Sequence, residues 1–245
     1  MLPFFYMKMN VVFFTGAGIS AESGIKTFRD HDGLWEGHDL MEVAHIDAWN
    51  RPTEQLKQRQ LILEFYNQRR RQLKEVQANK AHLLIADFEK RFPNTHIITQ
   101  NVDDLHERAG SKNIIHLHGE LLKAESEKDK KLVVPWTEDL NLGDLAEDGH
   151  QLRPHIVWFG EHLPQYEIAA KVIREADAII SIGTSGVVEP AASLFFEKNN
   201  QIKMIVNPVI DQHLKKNALT YYLFEEQAST GVEKAIKQLE NLDIS

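Results

Sequence analysis

The sequence predicts an α/β protein, a doubly wound parallel sheet with a small second domain inserted into it. Short apolar runs alternate along the 245 residues with stretches of helical character, as in a parallel sheet with helices on both faces. These runs show little polar alternation, which is typical of strands buried on both faces. Between Leu122 and Arg153 the sequence becomes charged and polar, which indicates an insertion.

Five apolar runs rich in branched residues are predicted as strands of the main sheet. They are Val11 to Phe14, His96 to Thr99, Ile114 to Leu117, Ala178 to Ile182 and Lys203 to Asn207. Pro52 to Val76 is predicted as a long helix that ends in three arginines, whereas the polar stretch from Gly24 to Ala44 lacks helical periodicity and is predicted as a mobile loop.

These elements divide the chain into two predicted domains. The large, Rossmann-like domain takes about 8–30, 77–121 and 154–245, and the small domain takes a helical insertion of about 31–76 and a polar insertion of about 122–153. The second insertion contains the charge run Glu125 to Lys131.

The composition argues against several classes of protein. The formal net charge of −8 disfavours nucleic-acid binding, which needs a surplus of Lys and Arg. No apolar run approaches the roughly 20 residues of a membrane span, and the first residues lack the charged start of a signal peptide, so a cytoplasmic location is predicted. Because the chain has no cysteine, disulfides, thiolate catalysis and cysteine-based zinc sites are excluded.

The first chemical motif is a glycine turn after the first predicted strand. Gly16, Gly18 and Ala21 match the spacing G-x-G-x-x-G/A, in which backbone N–H groups approach a pyrophosphate at a helix N-terminus. An ordinary turn without a ligand is the alternative. A dehydrogenase would continue into a strand that ends in an acidic residue about 20 positions on; that continuation is missing, so hydride transfer is disfavoured.

Two further motifs follow predicted strands. Gln100-Asn101-Val102-Asp103 offers amides and a carboxylate that could hold a carboxamide such as nicotinamide, or Asn101 or Asp103 could cap a helix. In His116-Leu117-His118-Gly119-Glu120 the two histidines point the same way in a strand, so a metal pair is conceivable, but the sequence shows no obvious third ligand. A histidine here is either structural or a general base for a ribose hydroxyl.

In this order, the motifs resemble those of the sirtuins over nearly the whole chain. The motifs that carry the resemblance are the glycine turn, Gln100 to Asp103, His116 to Glu120, Phe159-Gly160-Glu161 and Gly183-Thr184-Ser185. The resemblance implies an NAD-consuming lysine deacylase in which the acyl oxygen displaces nicotinamide and His118 deprotonates a ribose hydroxyl. The products would be free lysine, nicotinamide and acyl-ADP-ribose. An NAD-dependent ADP-ribosyltransferase or NAD glycohydrolase is the alternative; a non-catalytic NAD sensor is disfavoured because His118 and Asn101 are present.

The resemblance also implies the residues of the site. His118 and Asn101 would be catalytic. The residues implied to bind NAD are Gly16, Ala17, Gly18, Ser20, Phe28, Arg29, Gln100, Asp103, Gly183, Thr184, Ser185 and Asn207. An acylated-lysine peptide would pair as a strand with Val157 to Glu161 and Gly186 to Glu189; the residues implied to contact it are Val157, Phe159, Gly160 and Val187.

Tyr66 and Arg69 indicate the class of acyl group. Three apart on a helix, they share a face, so a phenol and a guanidinium could grip one carboxylate. This resembles the signature of sirtuins that remove succinyl, malonyl and glutaryl groups and usually retain some deacetylation. The alternative is a solvated arginine face, which we prefer for Arg70 and Arg71.

The insertion departs from the family pattern. Most sirtuins bind a structural Zn²⁺ there through two cysteine pairs, and this chain has none, so we predict no zinc. An apolar patch is predicted to hold the insertion together instead, formed by Leu132, Val133, Val134, Trp136, Leu140, Leu142 and Leu145. The oligomeric state is not predicted.

Overall fold

Six parallel strands form the main sheet of the computed structural model, which describes residues 9–26, 39–51, 55–184, 189–196, 201–216 and 221–242. The strands are β1 (Val11–Thr15), β2 (Thr95–Thr99), β3 (Ile114–His116), β7 (Ala178–Ile182), β8 (Ile202–Val206) and β9 (Tyr222–Phe224). Their order in space is β3-β2-β1-β7-β8-β9, and every pairing is parallel. The predicted doubly wound sheet is confirmed, and its switch point lies between β1 and β7, where such sheets form a ligand crevice.

The register brings the ends of these strands to one edge. Thr15 lies opposite both Thr99 and Ile182, and Ile182 lies opposite Val206. The residues that follow the strands therefore emerge together; they are Gly16, Gln100, Leu117, Gly183 and Asn207.

Nine helices are present in the described part of the chain. They are α1 (Leu40–Val43), α2 (Ile46–Trp49), α3 (Gln55–Leu73), α4 (Lys80–Arg91), α5 (Leu105–Ala109), α6 (Tyr166–Glu175), α7 (Ala191–Leu194), α8 (Gln212–Lys216) and α9 (Ala228–Glu240). The predicted long helix corresponds to α3, although its first predicted residues, 52–54, lie outside the described residues. Among the described helices, none combines the length and apolar character needed to cross a bilayer.

The two faces of the sheet are covered by different helices. Val11 and Phe13 point into a cluster with α4 and α9, whereas Val12 and Phe14 point into a cluster with α6 and α7. This alternation follows from the two-residue period of a strand.

A separate three-stranded antiparallel sheet occupies 119–156, which we call the module. Its strands are β4 (Gly119–Ser126), β5 (Val133–Pro135) and β6 (Leu152–Ile156), in the order β5-β4-β6. Leu121, Ala124 and Leu152 share an apolar cluster with residues of α2 and α3, so both predicted insertions contribute to one core. The sheet extends three residues beyond the predicted insertion at each end, and the domain boundaries stay a prediction.

The predicted apolar patch is wrong for three of its seven residues. Leu140 is buried and Trp136 and Leu142 are half-buried against the same cluster, but Val133, Val134 and Leu145 are 37%, 39% and 58% exposed. The buried apolar residues of the module, among them Leu121, Ala124, Leu140 and Leu152, pack against α2 and α3, and polar contacts join its loops.

Two of these polar contacts close the loops of the module. Ser126 Oγ donates to Asp148 Oδ2 at 2.7 Å and accepts from the backbone N–H groups of Lys128 and Asp129. The Gln151 side-chain amide donates to the carbonyls of 141, 144 and 152 and accepts from the backbone N–H of Gly143.

The prediction that Arg70 lies on a solvated face is also wrong. Arg70 is 1% exposed, its Nε donates to the Leu121 carbonyl at 3.1 Å, and its guanidinium donates to Asn67 Oδ1 at 2.6 Å. Burial lowers the pKa of Arg70 to about 10. Arg71 lies at the surface, as predicted, paired with Glu64 and Asp139.

Candidate active site

Two glycine turns meet at the carboxyl edge of the sheet. The Gly18 N–H donates to the Gly183 carbonyl at 2.8 Å, and the Gly16 N–H donates to the Ile182 carbonyl at 3.0 Å. A Cβ at Gly18 would lie 2.6 Å from Gly183 Cα, and one at Gly183, which has φ +62°, would lie 2.4 Å from Ile19 N. The contact between the two turns therefore requires glycine at both positions.

The helix N-terminus expected after the first glycine turn is not found. The turn leads into two short 3-10 turns, Ala17–Ile19 and Ala21–Ser23. In the described part of this loop no α-helix begins, so its backbone N–H groups are arranged by turns and by contact with Gly183.

A buried polar cluster lies beside these turns. Asn101 Nδ2 donates to Ser20 Oγ at 3.1 Å, and Ser20 Oγ donates to Asp103 Oδ2 at 2.9 Å. Burial raises the pKa of the Asp103 carboxyl. The structure thus brings together three residues that the sequence singled out in two separate motifs.

Asp103 also serves the helix that follows it. The N-cap of α5 is Asp104, but the Asp103 carboxylate accepts from the backbone N–H of Leu105 at 3.2 Å. The ligand-site and helix-start interpretations of this motif are therefore compatible in geometry.

His118 is oriented by a backbone carbonyl. Its Nδ1 lies 2.9 Å from the Gln100 carbonyl oxygen. Because a carbonyl only accepts, Nδ1 carries the proton and Nε2 keeps its lone pair. Burial lowers the pKa of His118 more than this hydrogen bond raises it, so the ring is neutral at pH 7 and can accept a proton at Nε2.

The two histidines of the second strand motif have separate environments. His116 Nε2 lies 2.7 Å from Glu107 Oε1, and its Nδ1 lies 3.3 Å from the Asn101 carbonyl. Burial lowers the pKa of His116, but Glu107 outweighs burial and the net shift is upward. Glu107, His116 and Glu120 place ligand atoms within 4.8 Å of one another; the pairs Glu107–His116 and Glu120–Lys123 already account for them.

Residues that follow β2, β7 and β8 contact one another at the crevice. Gln100 Nε2 donates to Thr184 Oγ1 at 3.2 Å, and Asn207 Nδ2 donates to the Thr184 carbonyl at 3.0 Å. Beside them is a small cavity of about 50 Å³. Its lining includes Phe14, Ser181, Thr184, Phe195, Ile205 and Asn207.

The stretch predicted to pair with a peptide is anchored at Val157 and at Phe159. The Val157 N–H donates to the His118 carbonyl at 2.9 Å. Phe159, 42% exposed, uses its own backbone N–H and carbonyl on Ala44 and Ile46. Strand pairing of a peptide with this stretch stays a prediction.

Tyr66 and Arg69 are buried rather than solvated. Tyr66 is 5% and Arg69 is 9% exposed. The Tyr66 hydroxyl accepts from Trp158 Nε1 at 2.9 Å, and the Arg69 guanidinium lies 3.3 Å from the Phe65 ring centroid while donating to the Phe65 carbonyl. Sequence reasoning missed Trp158, since nothing in the linear pattern pairs a residue at 158 with one at 66.

Four predicted site residues lie outside the described residues, and the second stretch predicted to pair with a peptide, Gly186 to Glu189, lies mostly outside them as well. The four residues are Phe28, Arg29, Ser185 and Val187.

The model of the Sir2 family matches residues 16–190, and this span contains the glycine turns, the polar cluster and both histidines. The chain belongs to the Sir2 family. This Sir2-family chain is 56% identical over 214 residues to an NAD-dependent protein deacylase of Helicobacter pylori, covering 87% of this chain and 83% of the relative. It is 44% identical over 238 residues to one of Bacteroides thetaiotaomicron, covering 94% and 97%.

Solved structures of the family share the fold. A Sir2 homologue in complex with NAD is 34% identical, with a TM-score of 0.78 over 96% of this chain and 91% of that one. A complex of Sir2 with a p53 peptide and NAD⁺ is 28% identical, with a TM-score of 0.72 over 94% and 93%.

Proposed function

We propose that this Sir2-family chain is an NAD-dependent protein lysine deacylase that removes succinyl, malonyl or glutaryl groups and, to some extent, acetyl groups. Its products would be deacylated lysine, nicotinamide and O-acyl-ADP-ribose. The observation that carries the proposal is His118, neutral and with Nε2 as its basic nitrogen, beside the Ser20–Asn101–Asp103 cluster at the carboxyl edge of the sheet. The names of the curated relatives support it.

Two observations support the binding of NAD in the crevice. The cavity beside Thr184 and Asn207 is lined mainly by apolar side chains together with a few polar ones, which suits part of an adenosine group. The buried amide, hydroxyl and carboxyl cluster suits the carboxamide and ribose at the other end. NAD would supply an electrophilic ribose carbon with nicotinamide as its leaving group.

The protein's own residues would supply the proton transfer and the orientation. His118 Nε2 would accept the proton of a ribose hydroxyl, since its lowered pKa keeps it neutral. Asn101 already donates its Nδ2 to Ser20, which leaves Oδ1 as an acceptor for a ligand's N–H or O–H group. Acylated-lysine proteins would be the substrates, and a cytoplasmic location stays a prediction.

The acyl class is proposed from Tyr66 and Arg69. An ionised carboxylate only accepts hydrogen bonds, so a buried site for it must present donors or positive charge. The Arg69 charge acts on the Tyr66 hydroxyl, so both groups belong to one region. An acetyl group would use neither.

We further propose that the module needs no structural zinc. This proposal is supported by the absence of cysteine from the sequence and by the polar contacts of Ser126 and Gln151, which join the segments of the module. A chelator such as EDTA should leave the melting temperature unchanged; a decrease that added Zn²⁺ reverses would contradict this.

Mass spectrometry of matched succinyl-lysine and acetyl-lysine peptides, incubated with NAD and the protein, tests the function. His118→Gln should reduce both reactions at least about 100-fold. Arg69→Met should lower kcat/KM for the succinyl peptide roughly 10- to 100-fold and change the acetyl reaction little. Arg71→Met, on the exposed face of the same helix, is the matched control and should behave as wild type.

Other outcomes would redirect the proposal. NAD turnover without deacylation of either peptide would indicate the ADP-ribosyltransferase or NAD glycohydrolase. Deacetylation with no response of desuccinylation to Arg69→Met would leave a deacylase and refute the acyl class.

A further inference from the structure

We propose that Trp158 is a specificity-determining positioning residue, whose indole N–H turns the Tyr66 hydroxyl into a hydrogen-bond donor for the carboxylate of an acidic acyl group. The inference rests on the proposed function and assigns it a residue outside the Tyr66–Arg69 pair. Trp158 acts through Tyr66 and is not required to touch the acyl group itself.

The direction of the hydrogen bond is fixed by chemistry. An indole nitrogen only donates, so the Tyr66 oxygen, 2.9 Å away, must accept. A phenol has one proton, and that proton cannot point at Trp158. It is therefore available to an acceptor on another side of the Tyr66 oxygen.

The Tyr66 hydroxyl also stays protonated. Burial raises the pKa of Tyr66 well above its ordinary value, and neither the Trp158 hydrogen bond nor the Arg69 charge offsets this. At any working pH the residue is a neutral phenol. Its proton matches a carboxylate, which only accepts hydrogen bonds, whereas the methyl of an acetyl group has no use for it.

The indole is itself held in place. The Arg153 guanidinium lies 3.6 Å from the Trp158 ring centroid, and the Trp49 ring lies 5.5 Å away. The Trp158 backbone N–H donates to Glu161 Oε2 at 2.9 Å, and Glu161 also accepts two hydrogen bonds from Arg153. These contacts restrict the rotation of the indole, so the direction of its N–H is a fixed feature of the site.

The test compares two tryptophan substitutions in one aromatic cluster. Trp158→Phe removes the N–H that contacts Tyr66. Trp49→Phe removes a similar volume and another indole N–H, which donates to Glu127 Oε2 at 3.1 Å. It keeps an aromatic ring against Trp158 and leaves the Trp158–Tyr66 hydrogen bond in place. Loss of packing that affects both substrates equally cancels in the ratio of kcat/KM for succinyl-lysine to that for acetyl-lysine peptide.

We expect Trp158→Phe to lower this ratio about 3- to 10-fold, mainly through a higher KM for the succinyl peptide, and Trp49→Phe to leave it unchanged. In a Tyr66→Phe background, Trp158→Phe should lower the ratio no further, because the hydroxyl through which it acts is gone. Benzothienylalanine at position 158, which keeps the ring shape and replaces N–H with sulfur, gives the same measurement without a cavity.

The experiment distinguishes failure of this inference from failure of the proposed acyl class. A wild-type ratio in both position-158 variants, with Arg69→Met still impairing desuccinylation, would overturn the inference alone. An additional effect of Trp158→Phe in the Tyr66→Phe background would also overturn it, since Trp158 would then act by another route. No response of the wild-type reaction to Arg69→Met would overturn the proposed acyl class and this inference with it.

Discussion

The crevice and the module are held together by different kinds of contact. At the crevice, backbone meets backbone, since Gly18 and Gly183 bring two turns within hydrogen-bonding distance. In the module, side chains add contacts beyond the backbone ladders of its strands. Glu125 accepts from His155, and Arg153 reaches Glu161, just past the module, with two hydrogen bonds of 2.8 Å.

This difference determines what a sequence can reveal. A close backbone contact requires glycine at a fixed distance after a strand. Such a pattern is recognisable in the sequence even when the segment that it contacts is unknown. A side-chain contact leaves one charged residue whose partner lies elsewhere in the chain. The two regions should therefore also respond differently to substitution and to pH.

The largest effect is expected for Arg153→Met in the module. The variant would leave the Glu161 carboxylate, whose side chain is 4% exposed, buried without its main partner, and we expect the free energy of unfolding to fall by about 3–5 kcal/mol. Urea denaturation followed by tryptophan fluorescence measures it.

Lys130→Met is the matched control, because Lys130 pairs with the same carboxylate from the surface, at 52% exposure. It should cost less than about 1 kcal/mol. Equal losses for the two variants would mean that burial does not decide the strength of this network.

The next effect is a loss of unfolding free energy at acid pH, which we assign to His82 on the crevice side. Burial lowers the pKa of His82, in α4, to about 4, and the unfolded value is near 6.5. The unfolded state therefore binds protons first as the pH falls, so stability is lost between about pH 6.5 and 4, by about 3 kcal/mol. Burial raises the pKa of Glu161, just past the module, but the paired Arg153 of the module outweighs burial and the net pKa is about 2. The stability that this pair contributes is therefore lost only below about pH 4.5.

His82→Gln tests this assignment. His82 Nδ1 accepts from the Asn79 N–H in a capping box, and Gln can make the same contact without titrating. The pH dependence of the unfolding free energy should flatten between pH 6.5 and 4. A slope identical to wild type would assign the acid response to other groups, of which His106, also with a lowered pKa, is the first to test.

A smaller effect is expected from the glycine contact itself. Gly183→Ala places a Cβ against Gly18 and Ile19 at a positive φ, and should cost roughly 2–3 kcal/mol. Gly143→Ala in the module has a positive φ but nothing within 4 Å of the added Cβ, so it should cost only about 1 kcal/mol. Thermal or urea unfolding compares the two; equal costs would show that the approach of the turns is not tight.

The sequence identified residues that belong to local patterns and missed those whose contacts join distant parts of the chain. The apolar runs predicted β1, β2, β7 and β8 because both of their faces are largely buried. They also predicted β3, whose residues are half-buried, whereas β9, with Tyr222 40% exposed, has no such signature. The residues of the polar cluster were singled out in motifs that follow strands, but their contacts with one another were not predicted. Arg70 was misplaced because its partner carbonyl at Leu121 lies 51 positions away. The contact of Trp158 with Tyr66 spans 92 positions and leaves no local pattern.

The smallest expected effect concerns Ser126, which is fully buried and whose hydroxyl joins two loops of the module. Ser126→Ala would remove the acceptor of the Lys128 and Asp129 N–H groups, and we expect a loss of about 1–2 kcal/mol. Hydrogen exchange at these two amides should accelerate more than at Gly18 and Gly183, whose contact is backbone to backbone.

Because the module and the crevice share the join between His118 and Val157, the spread of the Ser126→Ala effect measures their coupling. Faster exchange limited to the module would mean that the polar contacts act locally and that His118 does not depend on them. Equal acceleration at Gly18 would contradict the division into two independently held regions, since loosening one loop of the module would then loosen the turn that faces the proposed cofactor.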